Sequence, residues 1–141
     1  MKPLMIVLGL SLFALSKVSA AEGSPEQQVV ALFKQLTSEK RSTAFQDFFG
    51  DGLAGKQKPA EIKAMDAQAA AAWQFYGLPE SYEIIQRTEI GESLFRIKWL
   101  TKHKEEAPLF WSALFYRRSG MWEPFTVLFF DDPHRAGILN L

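Results

Sequence analysis

Residues 109–131 read LFWSALFYRRSGMWEPFTVLFFD, and the way this stretch alternates decides the fold. In an extended chain, Leu109, Trp111, Ala113 and Phe115 fall on one side, and Phe110, Ser112, Leu114 and Tyr116 on the other. This is a strand over 109–118. Ser119-Gly120-Met121 makes a short break, and a further strand runs from Trp122 to Asp131. Its segment FTVLFF, 125–130, is apolar on both faces. A sheet with one solvated face alternates cleanly between apolar and polar, so both faces of this one are expected to be covered. Helices can cover one. The other calls for the rest of a curled sheet or for a second subunit. Pro124 cannot donate to a ladder, which suits an edge strand or a bulge that bends the sheet.

Working back toward the N-terminus, 82–89 and 93–103 have the same period of two. The breaks are short, Ile90-Gly91-Glu92 and the charged KEEAP of 104–108, and short breaks join antiparallel neighbours. A four-strand meander follows. Before Pro79 the period is helical. Ser24-Pro25-Glu26-Gln27 is a capping box with proline at the first helical position, and it opens a helix over about 24–38 carrying Val29, Leu32, Phe33 and Leu36. Ser42 or Thr43 is placed to cap a shorter helix with Phe45, Phe48 and Phe49 on one face. Pro59 starts another, with Ile62, Met65, Ala69, Ala72, Trp73 and Tyr76 on one side, ended by Gly77 and Pro79. Helices first and strands after predict an α+β domain, its N-terminal helices packed on a curled four-stranded antiparallel sheet.

The first twenty residues, MKPLMIVLGLSLFALSKVSA, have the parts of a secretory signal: Lys2, an apolar stretch from Leu4 to Leu15, and Val18-Ser19-Ala20 at the cleavage site. The apolar stretch is shorter than the roughly 20 residues that span a bilayer, so no stable membrane insertion is expected after cleavage. Residues 21–141 are expected to form one domain, periplasmic or secreted. The whole chain has 16 basic and 16 acidic residues; removing 1–20 takes two lysines and no acid, leaving 14 against 16. That balance argues against a nucleic-acid partner. There is no cysteine, so an exported domain of this size must be held by its core, and twelve Phe and four Trp supply the apolar area.

The YRRSGMWEPF hairpin, 116–125, together with the order of elements over 24–131, resembles the nuclear-transport-factor-2-like superfamily of cone-shaped α+β domains. Many of its members end in a strand, a tight turn with glycine, a tryptophan and a final apolar strand. The chain lacks the short strand usual between the helices of that superfamily. The resemblance implies a function drawn from isomerases, dehydratases, ligand binders and dimerisation modules, and does not choose among them.

Several motifs invite a chemical reading. Gly50 to Gln57, GDGLAGKQ, satisfies a dinucleotide fingerprint and nearly satisfies a phosphate-binding loop. Both need a strand before and a helix N-terminus after, whereas AFQDFF before it is helical, and Gln57 stands where a hydroxyl must hold Mg²⁺. The stretch is therefore read as a loop between helices, and no cofactor is expected. Asp131, Asp132 and His134 form the best polar constellation for acid–base work, against the plainer reading of Asp132-Pro133 as a turn. His103, in the charged run of 102–106, is read as part of a solvated hairpin. No metal site is expected from two separated histidines and no cysteine.

Arg96 and Lys98 alternate with Phe95, Ile97 and Trp99. On a cavity wall they would orient an anionic ligand; on a half-exposed strand they solubilise the sheet, which is the reading the alternation favours. Trp73, Trp99 and Trp111, with Arg96, are the candidate ligand-binding residues, and ordinary core is their competing role. The leading expectation is a non-enzymatic exported domain that binds an apolar or amphipathic small molecule or a protein partner. The alternatives are a cone-fold enzyme of the isomerase or dehydratase kind, and an assembly module that forms a homodimer through its sheet.

Overall fold

The computed structural model of the protein describes residues 23–135 and Gly137; the expected signal at 1–20 lies outside them. Four helices precede four strands: α1 (Pro25–Leu36), α2 (Ala44–Phe49) after a 3₁₀ turn at Arg41–Thr43, α3 (Leu53–Gln57) and α4 (Pro59–Tyr76), then β1 (Ser81–Ile90), β2 (Leu94–Lys102), β3 (Leu109–Arg118) and β4 (Met121–Phe130). The sheet order is β1-β2-β3-β4, every pair antiparallel, with β-bulges after Ile84 and around Phe125. This is the α+β meander that the alternation predicts. Pro124 sits on the edge strand beside the second bulge, where a missing N–H breaks no ladder.

The register explains the core. Trp99, Trp111 and Phe129 form one row across β2, β3 and β4, and Ile97, Ala113 and Val127 form the next. Phe95, Phe115 and Pro124 follow. The small row lies between two bulky ones. Phe45 and Phe48, one turn apart on α2, straddle it: Phe45 stacks on Trp111 at 6.2 Å and Phe48 meets Phe115 edge-on at 6.0 Å. Val29, Leu32 and Leu36 of α1 and Ile62 and Ala69 of α4 complete the buried layer. Across α1 and β1, Arg87 and Glu26 pair at 2.8 Å, and that guanidinium holds the Glu26 carboxyl below its usual range.

Ser24 and Gln27 close the expected capping box at the start of α1. The next helix starts differently. Neither Ser42 nor Thr43 caps α2; the Thr43 hydroxyl donates to Asp47 instead. Its cap comes from α4, where buried Asp66 accepts from the amides of Phe45 at 2.9 Å and Gln46 at 3.3 Å, and from the Gln46 side chain. The cap is therefore tertiary, and no local pattern reveals it.

The loop expected at 50–57 contains α3. Its N-terminus is held by Glu123 of β4, which accepts from the Leu53 amide at 3.2 Å and from Arg118 at 3.0 Å. The chain reverses so tightly that Gly50 takes φ +52°, and a Cβ on Gly55 would lie 2.2 Å from the Gly50 carbonyl oxygen. Those glycines serve a steric reversal, which accounts for their spacing without any phosphate. Gly55→Ala is expected to cost about 1–3 kcal/mol, the usual scale for forcing an atom into filled space. In urea unfolding the midpoint should fall while the slope stays unchanged.

Candidate functional site

At the β2–β3 end of the sheet, a polar chain runs through the core. The Trp111 indole N–H donates to the Thr101 hydroxyl at 3.0 Å. That hydroxyl lies 2.9 Å from His103 Nε2, and His103 Nδ1 lies 2.9 Å from the Gly77 carbonyl at the end of α4. The proton positions follow from the partners. An indole only donates and a backbone carbonyl only accepts, so Nδ1 carries a hydrogen; in the neutral ring Nε2 is then the acceptor and Thr101 donates to it. His103 is only 6% exposed and stacks on Trp73 at 5.8 Å. This corrects the solvated-hairpin reading: one side chain of the charged run turns inward because a core tryptophan and a helix terminus both need a partner.

Trp99 and Trp111 are buried and stack at 5.5 Å, with half-buried Trp73 stacked on Trp111 at 6.4 Å. The three candidate tryptophans thus meet as packed core. Arg96 and Lys98 lie on the opposite face of the sheet from them, in register with Leu114 and Ser112. Lys98 is 7% exposed and donates to the Gly137 carbonyl at 2.5 Å.

The expected acid–base trio does not converge. Exposed Asp131 accepts from the Tyr76 hydroxyl at 3.2 Å. Asp132 accepts from the His134 amide at 2.9 Å, the local bond of an Asx turn after β4. His134 is exposed. Among the described residues, no group of three or more His, Asp or Glu side chains is placed to hold a metal ion.

A concave feature lies elsewhere. Between α3, α4 and β4 is a groove of about 160 Å³, floored by Phe49, Ala54, Ile62, Met65 and Val127. Lys58 and Glu61 stand at its rim, and the Lys58 ammonium lies 5.8 Å from the centre of the Phe125 ring. A second hollow of about 200 Å³, bounded by Gln46, Gly50, Gly55 and Pro59, shares Ile62 with it. Sequence reading missed the groove because its wall, α3, is a helix of five residues whose cap comes from β4. The sole signal in the chain is the crowding of glycines at 50–55, which announces a close reversal there.

No known family profile matches the chain, and no curated protein or solved structure matches it.

Two outcomes test the polar end of the sheet. Thr101→Val keeps the shape but strands two buried groups, so stability should fall by about 1–3 kcal/mol in denaturant titration. Partial burial, and then the Asp131 carboxylate, push the Tyr76 phenol above its ordinary range. The unfolded chain ionises first, so this contribution is complete below the unfolded phenol value and is lost as pH rises through the folded one. Asp131→Asn should bring the Tyr76 titration, followed by ultraviolet absorbance, back toward the ordinary value.

Proposed function

We propose that the protein is an exported domain of the cone-shaped, nuclear-transport-factor-2-like kind, and that it binds a small amphipathic molecule in the groove between α4 and β4. Helices packed on one face of a curled antiparallel sheet support the fold resemblance. The leader-like pattern of residues 1–20 supports a periplasmic or secreted location.

One observation carries the binding reading: the groove combines an apolar floor with a lysine at its mouth. Small-molecule sites are largely apolar, with a few polar groups that fix orientation. A volume near 160 Å³ suits about one ring, since a cavity of about 150 Å³ takes up benzene. Lys58 is exposed and parked against Phe125, free to turn toward a carboxylate. The class that fits is a single-ring molecule bearing an anionic group. Binding, rather than catalysis, is the role that suits this site, because the groove lining brings one carboxylate, Glu61, and no histidine.

The test is a titration of ¹³C-methyl signals of Met65 and Ile62 with phenylacetate, benzyl alcohol and benzylammonium. Phenylacetate should shift both signals most, with a dissociation constant of about 1 mM or tighter. Met65→Trp should fill the groove and abolish the shifts. No movement with any of the three at millimolar concentration overturns the reading.

A further inference from the structure

β4 is the last strand of the sheet, so one side of it pairs with no neighbour. Which residues turn their backbone to that side follows from the ladder. The Arg117 amide donates to the Ser93 carbonyl at 2.8 Å, toward β2. Alternation along β3 then turns Ala113 to β2 as well, and Ser112 and Leu114 to β4. Val127 stands opposite Ala113, so its own N–H and C=O point away from β3, to the free edge, and those of Phe129 do the same. Nearer the hairpin this edge is covered. The Trp122 carbonyl accepts from Gln28 at 2.8 Å, Glu123 holds α3 against it, and Pro124 has no N–H. Beyond the bulge the cover stops: among the described residues, no hydrogen bond from outside the sheet reaches the backbone of 125–130. Yet Val127 is only 3% exposed, and it lines the groove between α4 and β4. A buried peptide group is normally bonded, and an open strand edge is normally blunted.

We infer that the occupant of the groove is the C-terminal residue of an extended peptide added antiparallel to β4, an inference that rests on the groove-binding reading above. The terminal residue's N–H donates to the Val127 carbonyl, and its carboxylate accepts from the Val127 N–H and from the Lys58 ammonium. Charge fixes the direction. Lys58 stands over Phe125, two residues before Val127, and antiparallel addition places the peptide's C-terminus at that end. Side chains directly opposite each other share a face, and Val127 faces the helices, so the terminal side chain enters over Ile62 and Met65. A hollow of about 160 Å³ takes a phenylalanine ring or a leucine. Lys58, Glu61 and Met65 border this path with side chains alone, which turn aside without moving a backbone. Main-chain bonds then supply affinity for any sequence, while the groove selects the last side chain.

The test titrates the full chain with acetyl-Ala-Thr-Ala-Phe as the free acid, as the C-terminal amide, and with the phenylalanine nitrogen methylated, beside phenylacetate. The free acid should bind about tenfold tighter than phenylacetate, because it adds main-chain hydrogen bonds. It should also slow hydrogen exchange at the Val127 and Phe129 amides. Amidation and N-methylation should each lose about tenfold, and Lys58→Met should erase the difference between acid and amide. If phenylacetate moves the Ile62 and Met65 signals but the peptide binds no tighter, or the N-methyl peptide binds equally well, the groove is a small-molecule site and the inference is overturned. Silence from phenylacetate and peptide alike overturns both readings.

Discussion

The indole of Trp111 is fully buried, with its ring stacked on Trp99 and Phe129 within the sheet and on Phe45 and Trp73 from the helices. A ring in that position supplies much of the apolar contact, but it also brings an N–H that cannot reach water. That donor must be bonded inside the core. Thr101 accepts it, His103 takes the threonine proton, and Gly77 takes the histidine proton, so one unmet need at the centre fixes where α4 ends relative to β2. With a neutral imidazole the arrangement is self-consistent in only one set of proton positions. This gives the packing a unique register where apolar contacts alone would tolerate several.

The shorter helices depend on the same kind of completion from a distance. Helices of five and six residues have no stability of their own in water. Asp66 supplies the cap of α2 from α4, and Glu123 supplies that of α3 from β4. Each carboxylate meets amides that nothing local satisfies. Holding α3 in place in turn creates the groove beside it, so the candidate binding site follows from an edge-strand glutamate and a glycine turn more than from the residues that line it.

The two faces of the sheet are built differently. Rows of large, small and large side chains receive α2 on the inner face. On the outer face the chain itself returns after β4, and Lys98 marks its path. With the inner layer packed in this way, the groove lies at its rim, between α3, α4 and β4.

The order of elements, the meander, the α1 capping box and the apolar doubling of 109–131 were legible in the sequence, because period, turn chemistry and capping are local properties. Trp73, Trp99 and Trp111 were recognisable as important, yet their meeting in one stack depends on strand register. His103 read as a surface residue because its neighbours are charged; only the approach of Gly77 and Trp111 turns it inward. The same holds for Asp66, Glu123 and Lys98, whose partners Phe45, Leu53 and Gly137 stand more than 20 residues away along the chain. The sequence by itself determined which segments become helix and strand and that both faces of β3 and β4 carry apolar side chains. Only the tertiary structure decided what covers them, since a buried polar group takes whichever partner the fold brings within 3 Å or so, at any separation along the chain.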